Sequence, residues 1–370
     1  MKILIDGRLY GLENAGLGRY LINLIDQLGN LDAKNDYILL LRKKYYESLK
    51  LPSNWKKVLA DFRHYSLVEQ IKLLDLIKRE KPDIVHFPHF NVPLLYRGKF
   101  VVTIHDMLMH KEKGINATTL PAPQYHLKRL GYRTVFDNAV KRSIKIIVPS
   151  QAVKEELIES YKLSESKVSV TYEAANVNSV ATKPVTEKNS YFIYAGNAYP
   201  HKNLERLVEA IVLLNKNNVH RINLLIASSR GIFTQRLEKI IQDKKAGDFV
   251  SLVGFVTDEK LFELYRNSTA FVYPSLSEGF GLPGLEAMAS GTIVIASDIP
   301  VFKEIYKDKV IYFDPMEVKS IEKAMENVLK MNSDVRTSKI ESAKDFVKRY
   351  SWAKMAKETL RVYEEAGVKL

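Results

Sequence analysis

Short apolar runs alternate along this chain with longer stretches whose apolar positions recur every three or four residues. The first pattern suits strands buried on both faces, and the second suits helices with one buried stripe. Strands are predicted at 2–6, 37–41, 84–87, 101–104, 146–149 and 168–171. Helices fall between them at 66–80, at 151–160 and through Tyr20, Leu21, Leu24, Ile25 and Leu28. Residues 176–190 lack apolar periodicity and read as a linker. A second set of strands follows at 191–195, 222–227, 249–253, 270–273, 293–296 and 310–313, and a last periodic helix at 352–365. Strands alternating with helices imply parallel, doubly wound sheets. The predicted fold class is therefore α/β, with one Rossmann-like domain at 1–178, a second at 179–350 and a terminal helical segment at 351–370.

Composition narrows the picture. With 370 residues, 46% hydrophobic and 27% charged, the chain can build two cores and is too apolar for disorder. No apolar stretch is long enough to cross a bilayer, and residues 1–5 lead straight into a strand pattern, so a cytoplasmic protein is expected. The absence of cysteine excludes disulfides, thiolate catalysis and cysteine-type zinc sites. A net charge of +13 calls for a polyanionic partner. The excess is concentrated in the first half, where residues 111–150 carry eight basic and two acidic residues. No helix-turn-helix, RNP-type or zinc-finger motif accompanies it, so nucleic acid is not expected. An anionic membrane surface fits better: Lys128, Arg129, Arg133, Lys141 and Arg142 share a predicted helix with Leu127, Leu130, Tyr132, Val135 and Phe136. A plain solvated basic helix is the other reading.

The chemistry centres on Ser275-Leu-Ser-Glu-Gly-Phe-Gly-Leu-Pro-Gly-Leu-Glu286. It follows a predicted strand, and Pro283 opens a predicted helix that Gly291 stops. A glycine loop before a helix start lets a ligand touch backbone and meet unpaired N–H groups, which favours phosphate. Glu278 on the loop and Glu286 on the expected first helical turn would repel that phosphate. Their sensible task is to accept hydrogen bonds from hydroxyls on either side of it, as a nucleotide-sugar offers. Elsewhere, the carboxyl ends of the first-domain strands select His86, His89, His105, Asp106 and Ser150 as ligand-facing candidates. His86 and His89 straddle Pro88, which suits a positioned loop better than a metal pair. No Asp-x-Asp occurs, so neither a metal nor another cofactor is expected.

Glu278 and Glu286 with the intervening Gly-Phe-Gly-Leu-Pro resemble the signature of retaining glycosyltransferases of the GT-B fold, family 4. The resemblance covers essentially the whole chain and is strongest over 191–300. Pro200-His-Lys-Asn203 is similar to the mannosyltransferase-like subset with Pro-His/Arg-Lys-Asn. The resemblance implies a retaining, metal-independent transfer from a nucleotide-diphosphate-sugar, with GDP-mannose the leading donor, to a hydroxyl of a glycan or lipid-linked acceptor. It also implies a cytoplasmic enzyme peripheral at the inner face of a membrane, whose last helix crosses back to the first domain. Lys202, Glu278 and His105 match catalytic positions, with Lys202 neutralising the leaving diphosphate. Glu286, Gly279, Phe280, Gly281, Leu282, Gly196 and Asn197 match donor-binding positions, although Asn197 stands where the family commonly has arginine. Gly16, Gly18, Arg8 and Arg19 match a loop near phosphate and acceptor. Tyr65-Ser-Leu-Val-Glu-Gln70 resembles an acceptor-side segment and reads equally well as a plain helix start. A GT-B epimerase or phosphorylase and a non-catalytic sugar-nucleotide binding protein remain as alternatives.

Overall fold

The computed structural model describes residues 1–111, 121–175, 191–217, 221–229 and 231–367. The linker predicted at 176–190 lies outside them. The chain divides into two compact units, one made of 1–107, 120–173 and 351–370 and the other of 108–119 and 174–350.

The first unit holds strands β1 (Lys2–Asp6), β2 (Asp36–Leu41), β3 (Trp55–Leu59), β4 (Ile84–Phe87), β5 (Phe100–Thr103), β6 (Lys145–Val148) and β7 (Val168–Val170). They form one parallel sheet in the order β3-β2-β1-β4-β5-β6-β7. Around it lie α1 (Ala15–Leu31), α2 (Lys43–Tyr46), α3 (Leu67–Glu80), then, after the short α4 (Leu108–Lys111) of the other unit, α5 (Ala122–Arg142) and α6 (Gln151–Tyr161). β1, β2, β4 and β5 are almost wholly buried, as strands covered by helices on both faces must be. Leu4, Val85, Phe87, Val102, Ile146 and Val148 centre their core.

The second unit holds β8 (Tyr191–Ala195), β9 (Asn223–Ala227), β10 (Val250–Leu252), β11 (Ala270–Tyr273), β12 (Val294–Ser297) and β13 (Ile311–Phe313), all parallel in the order β10-β9-β8-β11-β12-β13. Its helices are α7 (Leu204–Asn217), α8 (Ile232–Asp243), α9 (Asp258–Asn267), α10 (Leu282–Ala289), α11 (Pro300–Tyr306), α12 (Val318–Leu329) and α13 (Ser333–Val347). The last helix, α14 (Trp352–Gly367), belongs to the first unit and packs on α1 and on β4, β5 and β6.

In each sheet the chain winds outwards in opposite directions from a central pair, β1 and β4 in one and β8 and β11 in the other. Loops leaving such a pair part to opposite faces and open a crevice at the carboxyl ends.

Candidate functional site

At the β8 and β11 switch point two loops face each other. β8 is buried throughout and ends at Gly196, whose φ of +149° carries the chain out of the sheet. The Tyr194 hydroxyl donates to the Asn197 carbonyl at 2.8 Å, and the Asn197 side chain accepts from the Tyr199 amide at 3.3 Å. Pro200–Lys202 form one 3₁₀ turn, and Asn203 leaves it in the left-handed region at φ +58°. The Asn203 amide then donates to the carbonyls of Pro274 and Pro315 at 3.1 and 2.8 Å. With the Leu276 amide bonded to the His201 carbonyl at 2.8 Å, the two loops are locked together. That clamp aims Lys202 at the glycine loop.

Lys202 Nζ donates to Glu278 Oε1 at 2.5 Å, and both side chains are only 11% exposed. Burial alone would raise the Glu278 pKa, but the charge and hydrogen bond of Lys202, with help from Ser275 and His201, hold it below the usual carboxylate range. The Tyr273 ring lies 5.9 Å from the ammonium. Beyond Glu278, Gly281 caps α10 at φ +104°, and a β-carbon there would come within 2.3 Å of the Tyr306 hydroxyl. That hydroxyl donates to the Gly281 carbonyl at 2.6 Å, so one tyrosine fixes how the loop enters the helix. Phe280 is buried edge-on against Tyr350. The helix opens at Leu282 with Pro283 second, so Glu286 is its fifth residue, one position past the first-turn place expected for it. Glu286 is 4% exposed. The site thus holds a lysine and a carboxylate in contact beside a helix start, with a second carboxylate buried further along that helix, groups suited to a phosphate between hydroxyls.

The carboxyl ends of the first sheet carry a second cluster. Arg8, expected to serve as a cation for phosphate, is buried here between two carboxylates. Arg8 is 1% exposed, donating to Asp6 at 2.7 and 2.6 Å and meeting Glu69 at 2.7 Å. Glu69 also accepts from Asn91 at 2.8 Å and from the Tyr65 amide at 2.7 Å, and the Phe62 ring lies 4.9 Å from the guanidinium. One cation is thus shared by two buried carboxylates, while its Nη1 has no hydrogen-bond partner among the described residues. Burial tends to raise the Asp6 pKa, yet Arg8 holds it low. The Glu69 partnership went unseen in the sequence because Ser66-Leu-Val-Glu69 reads as a capping box, and the Ser66 side chain does accept from the Glu69 amide at 3.1 Å.

Two further candidates prove structural. His86 lies inside β4 rather than after it, bonded to Thr103 at 2.8 Å and to Tyr363 of α14 at 2.6 Å. Burial, with the neighbouring His105, depresses its pKa to about 3, so it is neutral. Ser150 caps α6, accepting from the Val153 amide at 3.3 Å. His89, held neutral chiefly by burial, lies against Phe90 and Tyr65. His105 stands beyond the end of β5, 3.0 Å from the Pro88 carbonyl and 3.3 Å from Glu173, a residue the sequence reading did not select.

Gly16 and Gly18, expected on the loop after β1, lie at the start of α1; Gly18 is required because a β-carbon would lie 1.8 Å from the Gly11 carbonyl oxygen, whereas nothing comes within 4 Å of one at Gly16. Arg19 is partly buried on α1. Among the described residues no three His, Asp or Glu side chains converge as a metal cage.

Comparison with known proteins covers both halves of the chain. A model described as Glycosyltransferase Family 4 matches residues 15–178, and one described as Glycosyl transferases group 1 matches residues 178–349. O-antigen chain mannosyltransferase RfbU of Salmonella typhimurium is 29% identical over 330 residues, covering 86% of this chain and 88% of that protein. O-antigen chain mannosyltransferase B of Escherichia coli is 26% identical over 393 residues, covering 98% of this chain and 100% of that protein. Among solved structures, sucrose-phosphate synthase from Thermosynechococcus elongatus superposes with a TM-score of 0.75 at 18% identity, covering 98% of each chain.

Proposed function

From the premise that this chain belongs to the glycosyltransferases, with a family 4 domain followed by a group 1 domain, we propose that it moves mannose from GDP-mannose to a hydroxyl of a glycan or lipid-linked acceptor. The mannosyltransferase names of its relatives support the sugar, and its resemblance to the Pro-His/Arg-Lys-Asn subset supports the base. The observation that carries the reading is the meeting of Lys202 with Glu278 beside the start of α10 and the buried Glu286.

In this reading the diphosphate sits at the helix start and draws Lys202 away from Glu278. Glu278 is then free to accept from sugar hydroxyls, and Glu286 from the ribose. The C1–O bond to the diphosphate breaks as the acceptor oxygen bonds to C1 on the same face. The acceptor proton leaves with the departing phosphate oxygen, and the products are GDP and an α-linked glycoside. Negative charge grows on the diphosphate during this step, so Lys202 and the helix dipole stabilise the transition state more than the bound donor. No metal takes part in this scheme. The acceptor is presented at an anionic membrane, against the surface formed by α5.

A thermal-shift panel of nucleotide-sugars tests the donor: a ligand at 100 times its Kd adds roughly 2.7 kcal/mol, and GDP-mannose is expected to give the largest shift. Lys202→Ala should cut kcat strongly, while EDTA should leave the wild type at full rate. Activity lost on chelation and restored by magnesium would overturn the metal-free scheme, and a larger shift with another donor would replace GDP-mannose.

A further inference from the structure

His105 is held from both sides by groups that accept. Its Nε2 lies 3.0 Å from the Pro88 carbonyl oxygen, which has no hydrogen to give, so Nε2 carries one. Its Nδ1 lies 3.3 Å from Oε1 of Glu173, whose side chain is 6% exposed. A bare lone pair on that nitrogen would face the carboxylate's negative charge, so the contact favours a ring with hydrogen on Nδ1. The ring is also pressed edge-on against Tyr20 at 4.8 Å, and the Tyr20 hydroxyl is tied to Thr103 at 3.2 Å. Glu173 follows β7 at the carboxyl edge of the sheet, three residues beyond the strand, and no sequence motif singles it out. The other titratable groups around the ring are His86 and His89 from β4 and its loop, both held neutral, and Asp106 next in the chain.

We propose that Glu173 is a positioning residue: it fixes which nitrogens of His105 carry hydrogen and the direction of the ring, and glycosyl transfer depends on that orientation. The proposal rests on the reading, implied by the resemblance to family 4, that His105 is catalytic. A buried carboxylate beside one ring nitrogen also orients an imidazole in other active sites. Here the Pro88 carbonyl alone would let the ring turn about its Nε2 hydrogen bond, and Glu173 supplies the second point that stops it.

The test combines imidazole ¹⁵N spectra of histidine-labelled protein with kinetics on GDP-mannose, using Glu173→Gln, His105→Ala and the double variant. The His105→Ala spectrum assigns the His105 signals among the eight histidines. The remaining seven report whether Glu173→Gln still folds. The expected result is a change of the His105 Nδ1 signal in Glu173→Gln with the other seven unmoved. With it should come a kcat loss of roughly tenfold or more, as for other outer partners of a reacting group, and a donor KM within about threefold. No further loss is expected when Glu173→Gln is added to His105→Ala. Glu173→Asp, with a shorter carboxylate, should recover part of the rate. Unchanged His105 signals in Glu173→Gln would overturn the proposal. So would a full wild-type rate for Glu173→Gln beside an impaired His105→Ala. Wild-type rates for both variants would instead remove His105 from the catalytic residues, a failure of the underlying reading that the unaltered spectral link would make distinguishable.

Discussion

Glu286 and Glu278 have the same side chain at different places on one loop and helix. Glu278 lies on the loop in contact with Lys202, and Glu286 is set back on the second turn of α10 at 4% exposure. A carboxylate so placed binds a ligand hydroxyl with little further desolvation, so Glu286→Ala should raise the donor KM by the loss of one or two charge-assisted hydrogen bonds, about 1.5–3 kcal/mol each. Donor titration by calorimetry reads this directly, and unchanged affinity would remove Glu286 from the donor site. Arg8 shows what residue type alone cannot reveal. An arginine two residues past a buried strand looks like an anion ligand in sequence, and its neutralisation depends on Glu69, more than sixty positions away. Lys202 differs because its partner lies in the motif that drew attention to it.

At the scale of elements, most strands were legible because parallel strands covered on both faces are continuous apolar runs. The exception is β3, Trp55-Lys-Lys-Val-Leu59, an edge strand whose two central lysines break the run. The start of α10 was legible to within a residue, but not the Tyr306 hydroxyl that dictates its glycine. Gly281→Ala should therefore combine a left-handed φ with a clash and lower stability by about 1–3 kcal/mol, while Gly16→Ala, in open space at the start of α1, should leave it unchanged or slightly higher. Paired thermal melts decide it, and equal losses would refute the contrast. For α5, charge was legible and burial was not. Phe136, Ala139 and Val140 anchor its last turns in the core, but Leu127 and Leu130 are 73% and 65% exposed beside Lys128, Arg129 and Arg133. Leu67 and Ile71 of α3 are exposed as well, and Tyr65, Phe90 and Tyr132 link the two helices. Exposed leucines among cations suit the boundary of an anionic bilayer, where each Lys or Arg contributes about 1 kcal/mol. Co-sedimentation with anionic vesicles should fall at high salt and on changing Lys128, Arg129 and Arg133 to Ser. Equal recovery with neutral vesicles would argue for a solvated helix.

Across the whole molecule, the two units should fail at different acidities. His86 and His89 have folded pKa values pushed down to about 3, so their contribution is full above the unfolded value, about 6.5, and is lost as pH falls below it. Glu278 is also depressed, but its contribution is full down to about pH 4.3, the unfolded value for Glu, and is lost only below that. The first unit is therefore expected to open at higher pH than the second. Both tryptophans, Trp55 and Trp352, belong to the first unit, so their fluorescence reports on it alone while circular dichroism reports on both. Fluorescence change should precede the loss of dichroism as acid is added, and coincident transitions would contradict this order.

The packing of α14 against α1 and β4 to β6 has a consequence for synthesis on the ribosome. Every strand of the first sheet has left the tunnel long before Trp352 is made, yet Tyr363 is the partner that satisfies the buried His86. At about 5–20 residues per second, the interval between Glu173 and the end of α14 is on the order of 10–40 s. During that time the nascent first half holds an uncovered apolar face of its sheet, while the second unit, continuous from 174 to 350 apart from one short segment, is free to fold ahead of it. The half made first is thus the half finished last, and it is the one a chaperone would have to shelter.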